Sequence, residues 1–191
     1  MPNPKIKINT GISPFPMPVV IVGAIVEGKP NFMTVAWFNR LNSRPNLWGM
    51  VIGEKQYTLE GIQEAREFSM NIPNVDLVVK TDYAGIVSGR KEDKADHFEV
   101  FFGESKNAPM IKECPVTAEC KVYDIVELPG SKFVIGEIIH AYSEEIYMTD
   151  GVTDSKKIRP FVFTAPEHHY RELGEKIGTA FADGKALLRD E

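Results

Sequence analysis

The stretch from Val19 to Trp37 reads VVIVGAIVEGKPNFMTVAW: an apolar run, a Glu-Gly-Lys-Pro-Asn turn, then a second run rich in small and β-branched residues. Two such runs joined by turn residues pair as an antiparallel β-hairpin. Its return strand carries Met33, Thr34, Val35 and Ala36, which have little bulk and leave backbone donors accessible. A second stretch, Val51 to Thr58, reads VIGEKQYT. It is a strand running into a Gly-bearing turn, after which Lys55, Tyr57 and Thr58 open a helix.

Further strands are expected at Val19–Val26, Thr34–Asn39, Leu47–Ile52, Glu67–Ile72, Thr117–Glu127 and Lys132–Ser143, with an edge strand at Ile146–Met148. The last two long runs face each other across Leu-Pro-Gly-Ser and form a second hairpin. Helices are fewer. Thr58 is placed to cap a helix over residues 59–66, and Asn74 to cap a short one within 75–85 with its apolar side inward. A C-terminal helix over 167–183 is suggested by Tyr170, Leu173, Ile177 and Phe181. Antiparallel strands dominate, with helices at the edges and end, so the fold class is mainly β with peripheral helices. A closed or split β-barrel fits this better than a parallel sheet. Neither GxGxxG nor GxxxxGK[ST] occurs, which leaves Rossmann and P-loop folds unsupported.

At 191 residues, with no linker, repeat or low-complexity tract, the chain reads as a single domain over 1–191. Its net charge of −5 argues against nucleic-acid binding. No apolar run reaches the ~18 residues of a membrane span, and no signal-peptide h-region follows the first lysines. A cytoplasmic protein is expected. The two cysteines, Cys114 and Cys120, offer no disulfide framework, and Cys120 reads as a buried thiol. The four histidines lack ligand spacing, so no metal site is expected.

Three groups carry candidate chemistry. Met33, Thr34, Val35 and Ala36 offer backbone hydrogen bonds beside a flat apolar surface. Val51, Ile52, Gly53, Glu54, Lys55, Gln56, Tyr57 and Thr58 bring a cation and hydroxyls to a helix N-terminus, where an anion is favoured. Ser88, Gly89, Arg90 and Lys94 belong to a cationic loop that could close over a phosphate. Taken alone, each also fits an ordinary buried strand, a surface turn or a solvated charged loop. Together they match flavin mononucleotide, whose ring needs hydrogen bonds along its edge and whose phosphate needs donors.

The order of these groups resembles the flavin reductase-like family, and within it the flavoredoxin branch. The residues that carry the resemblance include Asn31-Phe32-Met33-Thr34-Val35-Ala36-Trp37, Tyr57-Thr58, Phe68-Ser69-Met70-Asn71-Ile72-Pro73, Ser88-Gly89, Asp93-Lys94 and Gly136-Glu137-Ile138. The resemblance implies an antiparallel, Greek-key-like FMN-binding split β-barrel of six strands. It implies a homodimer holding FMN non-covalently near the subunit interface. It also implies ring contacts from residues 33–36 and phosphate contacts from 51–58, Ser88, Gly89 and Lys94. Members that oxidise NAD(P)H often carry a histidine where this chain has Ser131 and Lys132. The expected function is electron transfer, or reduction of a flavin or other acceptor, with NAD(P)H as donor left open and the redox partner unnamed. The alternative is a non-redox FMN-binding or scaffold module on the same barrel.

Overall fold

The computed structural model describes residues 3–11 and 15–188. The strands and helices in chain order are β1 (Met17–Pro18), β2 (Val20–Val26), β3 (Lys29–Val35), β4 (Phe38–Asn42), β5 (Leu47–Gly53), α1 (Tyr57–Ala65), β6 (Glu67–Ile72) and α2 (Val78–Ile86). They continue with β7 (Val100–Phe101), β8 (Met110–Ile111), β9 (Val116–Leu128) and β10 (Ser131–Ser143). The chain ends with β11 (Met148–Thr149), β12 (Val152–Thr153), α3 (Ser155–Ile158), β13 (Phe161–Thr164) and β14 (His169–Glu172).

The first hairpin is tighter than its sequence suggests. Val26 pairs with Lys29, so the loop is Glu27-Gly28 alone, with φ of 51° and 77°. Two positive φ values in a two-residue loop give the twist that antiparallel strands require. Lys29, Pro30 and Asn31 therefore already belong to β3. A proline is tolerated there because β3 is an edge strand. The second hairpin turns at Pro129-Gly130, with Gly130 at φ 73°.

Seven strands form one antiparallel sheet in the order β3-β2-β6-β9-β10-β5-β4. Its two outermost strands are consecutive in sequence, so the sheet curls until its ends meet where the chain passes from β3 to β4. This is a split barrel. The resemblance implied six strands, and the strand expected at Thr34–Asn39 is in fact broken at Ala36-Trp37. There the Phe38 amide turns back onto the Ala36 carbonyl at 3.0 Å. Two short strands replace one, which accounts for the seventh.

Inside the curl, Val20, Val22, Met33, Val35, Met50, Ile52, Phe68, Met70 and Val134 pack with Leu59 and Ile62 of α1. Burying those two helix side chains contributes about 1.5–3 kcal/mol each. On the outer face, Ile21, Phe32, Leu77, Ala84, Phe98 and Ile111 form a second cluster beneath α2. Within 75–85, Leu77 and Ala84 face inward with Thr81, in line with the apolar-inward expectation, while Val79 departs from it and points to solvent. Asn74 precedes a short 3₁₀ turn and makes no side-chain cap bond.

Two other expectations fail. The segment 167–183 is not a helix: β14 occupies His169–Glu172, and the chain beyond runs without helix until a 3₁₀ turn at Asp183–Leu187. Tyr170 instead packs edge-on against Phe161 and donates to Asp82 at 3.0 Å, while Ile177 and Phe181 lie exposed. Ile146–Met148 is mostly a 3₁₀ turn, with only Met148–Thr149 extended.

Gly61 sets how closely α1 can approach the sheet. A Cβ there would lie 2.1 Å from the Ile25 carbonyl oxygen. Gly61→Ala is expected to lower the free energy of unfolding by about 1–3 kcal/mol. Gly174→Ala, with nothing within 4 Å, should leave it unchanged. Urea unfolding of both variants checks this, and equal stabilities would contradict it.

Candidate functional site

The split in the barrel is a cavity of about 210 Å³ bounded by Met33–Trp37 on one side and by Val51, Ile52, Gly53 and Gln56 on the other. Phe38 pairs with Met50, so β5 runs past the end of β4. The Val51 amide still donates to the Trp37 carbonyl at 2.9 Å. Beyond that bond β4 offers β5 no further partner, the Gly53 carbonyl accepts from the Gln56 amide at 3.0 Å, and the edge of β3 across the gap is unpaired. Backbone donors and acceptors thus face an apolar slot. Seven of the eight residues expected from 33–36 and 51–54 line it together, all but Glu54.

Further along β3 a second, more polar cleft of about 400 Å³ opens. Its walls include Lys29 and Asn31 of β3, Tyr57 at the start of α1, and Gly89 and Arg90 of the loop after α2. The two cavities are lined by neighbouring residues of the same strand and the same helix start, so they lie beside one another along β3. Glu54 and Lys55 lie exposed in the turn leading from one to the other, and line neither. The Glu54 amide donates to the Gly130 carbonyl at 3.2 Å, which docks the tip of the β9–β10 hairpin on this turn.

The helix starts two residues earlier than expected. Gln56 is the N-cap, and it makes no side-chain cap bond. Thr58 is not a cap but an interior helix residue, only 1% exposed, whose hydroxyl oxygen accepts from Asn31 Nδ2 at 2.7 Å. The Leu59 amide donates to the Gln56 carbonyl at 3.1 Å, while the amides of Tyr57 and Thr58 have no side-chain cap and carry the positive end of the helix dipole.

A chain of polar contacts closes the outer rim. The Tyr57 hydroxyl donates to Glu27 Oε2 at 2.9 Å, and the Arg90 guanidinium lies over the Tyr57 ring, 4.7 Å from its centroid. Arg90 is also ion-paired with Glu60. The bond to Glu27 raises the Tyr57 pKa, because the carboxylate stabilises the protonated phenol. Gly89 packs beneath: a Cβ there would sit 2.0 Å from Asn31 Oδ1 and 2.9 Å from the Tyr57 ring. Ser88 is exposed, and its Oγ accepts from the Arg90 amide at 3.3 Å.

Lys94 lies apart from these groups. It is 3% exposed, and its ammonium donates to the carbonyls of Ala84 and Val87 at 3.1 and 3.0 Å. It holds the end of α2 and so places the Ser88–Arg90 loop. Thr34 does similar work from the other side, donating its hydroxyl to the Thr81 carbonyl of α2. Both thiols are buried, and burial pushes their pKa values up. Cys120 faces the barrel core, as its strand position suggested. Lys132, at the hairpin tip, is paired with Glu127 at 2.6 Å.

Asn31, Glu27 and Glu60 were not singled out from sequence. The available signal was Asn31 itself, an amide inside a strand whose other residues from Phe32 to Val35 are apolar except Thr34. No helix among the described residues is long and apolar enough to cross a membrane.

A seam in an antiparallel barrel, with a slot at one end and a helix start beside cations at the other, defines a split-barrel protein. Residues 12–156 match the family described as flavin reductase like domain, and the chain belongs to that family. It is similar to the crystal structure of flavoredoxin from Methanosarcina acetivorans, at 47% identity and a TM-score of 0.94, covering 97% of this chain and 100% of that one. It is also similar to flavoredoxin of Desulfovibrio vulgaris (Miyazaki F), at 32% identity and a TM-score of 0.86, covering 94% and 100%. An uncharacterized protein of Archaeoglobus fulgidus is 35% identical over 142 residues, 73% of this chain and 79% of its own length.

Burial lowers the Lys94 pKa to about 8. The unfolded chain holds that proton up to ~10.4, so between the two values the unfolded state binds more protons and stability rises with pH. Lys94→Met removes this gain. The stability difference, wild type minus variant, should therefore be larger at pH 9.5 than at pH 7.5 in urea unfolding; a constant difference would contradict it.

Proposed function

We propose that the slot and the cleft beside it form one groove that binds FMN non-covalently and that the protein is a flavin-dependent redox protein. The observation that carries this is a slot between the unpaired edge of β3 at Met33–Val35 and the end of β5, lying beside a polar cleft where the start of α1, without a side-chain cap, meets Arg90. The residues present fit the group. The slot has apolar walls and free strand edges for a flat heterocycle, and the bare Cα of Gly89 keeps the polar cleft open where a methyl would fill it. Membership of the flavin reductase-like family and the likeness to two flavoredoxins support the same reading.

FMN, when bound, supplies hydride and single-electron transfer chemistry. The chain's part is to bind, orient and tune. The strand edges at residues 33–36 and 51–53 offer hydrogen bonds to the polar rim of a ring. Gln56 and Tyr57 mark where the groove turns from apolar to polar. Arg90 and the first-turn amides of α1 provide positive potential for a phosphate. Ser88 and Gly89 shape the loop that carries Arg90. Lys94 acts at a distance by fixing that loop, and Lys55 adds exposed positive charge at the turn.

An electron carrier fits better than an NAD(P)H oxidase, because the hairpin tip carries Ser131 and a Lys132 already engaged by Glu127. A homodimer is part of the reading, and exposed Trp37 at the rim of the slot, 64% accessible, is apolar surface that a second copy would cover. The free thiols fit a reducing, cytoplasmic setting.

Purified protein reconstituted with FMN should show flavin absorption near one per chain; a colourless protein after FMN addition would sink the proposal. Arg90→Ala should weaken FMN binding about tenfold or more, the loss of one charge-assisted bond of ~1.5–3 kcal/mol. An unchanged Kd by fluorescence titration would remove Arg90 from the site. Anaerobic mixing with NADH or NADPH should bleach the flavin slowly if at all, and rapid bleaching would favour a reductase.

A further inference from the structure

We propose that a cavity on the outer face of β9 and β10 is a second binding site, for a small neutral aromatic compound carrying one hydroxyl or carbonyl. These strands lie in the middle of the seven-stranded order, across the barrel from the seam where its ends meet. The cavity shares no lining residue with the slot or the polar cleft, and its assignment does not rest on the FMN reading.

Its volume is about 530 Å³, larger than the slot or the cleft and within the ~300–1,000 Å³ common for small-ligand sites. The register of β9 and β10 lays its floor, because Thr117 stands opposite Tyr142. Ala118 and Cys120 fill the barrel core, so by strand alternation Thr117 and Glu119 point the other way. Phe101 of β7 meets the Tyr142 ring edge to face, with centroids 6.3 Å apart, and Cys114 and Pro115 extend the apolar wall. Burial pushes the Cys114 pKa up, so its thiol stays protonated and adds polarisable surface rather than a nucleophile.

Three hydroxyls line the cavity, and two are used. Tyr142 donates to Glu119 Oε2 at 3.1 Å, and Ser143 donates to the Pro115 carbonyl at 2.8 Å. The Thr117 hydroxyl has no hydrogen-bond partner among the described residues, although Thr117 is only 3% exposed. Among those residues the one sealed side-chain nitrogen or oxygen without a partner is Asn74 Oδ1. The Thr117 oxygen is therefore not sealed, and the cavity that its side chain lines is what it opens into. A partnerless hydroxyl on an apolar floor gains from a ligand oxygen. The rim sets the ligand's charge. Lys112 is ion-paired with Glu99, and Glu144 stands exposed beside them, so one cation faces two carboxylates. An anion is repelled at that mouth, and a charge of either sign loses its hydration over the rings without a counter-charge on the floor.

An amide NMR titration of the full chain, with and without FMN, tests this with p-cresol, toluene and p-toluate as probes. p-Cresol should shift the Phe101, Thr117 and Tyr142 signals saturably and equally in both states. p-Toluate should bind about tenfold or more weakly, the cost of bringing a carboxylate to an apolar floor. Thr117→Val keeps the shape and removes the hydroxyl; it should weaken p-cresol about fivefold, the loss of one hydrogen bond, and leave toluene within roughly twofold. Four results would each overturn the site: no saturable shift at these residues, shifts confined to residues 33–37 and 51–57, p-cresol affinity unchanged in Thr117→Val, or p-toluate bound as tightly as p-cresol. If thermal melting shows Thr117→Val unfolded, Thr117→Ala gives the same comparison, and the order of the probes on the wild-type chain decides without any variant.

Discussion

The structure depends on a sheet that cannot finish closing. β3 and β4 are consecutive, yet they end at opposite edges of the seven-stranded sheet, and the chain crosses between them in only Ala36 and Trp37. The crossing pairs β4 with β5 but leaves the last residues of β5 opposite an edge of β3 that they do not reach. A backbone edge left open inside a fold must be satisfied by water or by a ligand. Here it faces a slot with apolar walls, which suits a flat molecule with a polar rim. The same two-residue crossing therefore accounts both for the barrel's split and for the groove.

The groove's other end depends on α1. Its approach to the sheet is set by the contact of Gly61 with the Ile25 carbonyl, and its interior face plugs the barrel with Leu59 and Ile62. That docking aims the uncapped first turn at the groove. Around it, a chain with net charge −5 gathers Lys29, Arg90 and Lys91 on one cleft. Glu27 and Glu60 hold Tyr57 and Arg90 in place. Surface pairs of this kind contribute little to stability; what they supply here is a defined position for a ring and a guanidinium.

Much of this was legible in the sequence, for identifiable reasons. Both hairpins were readable because Glu-Gly and Pro-Gly demand specific backbone angles between apolar runs. The grouping of Met33–Ala36 with Val51–Gly53 was readable from strand character followed by a helix start. The proposed C-terminal helix failed because Tyr170, Leu173, Ile177 and Phe181 have helical spacing but not helical packing. Tyr170 is claimed by Phe161 and Asp82, and Gly174 and Gly178 interrupt the remainder. Thr58 looked like a cap because hydroxyls cap helices, but Asn31, distant in sequence, claims its oxygen. Lys94 looked like a loop cation, yet carbonyls at the end of α2 bury it. For Tyr170 and Thr58 a partner distant in sequence overrode a local preference, and for Lys94 the nearby end of α2 did so.

The central claim is one groove with two chemically opposite ends, and a crystal structure of the protein grown with FMN tests it most directly. The account requires the ring between the crossing at Met33–Ala36 and the end of β5 at Val51–Gly53, with the phosphate reaching the first turn of α1 and Arg90. A phosphate bound away from that helix start, or a ring outside the seam, would contradict it.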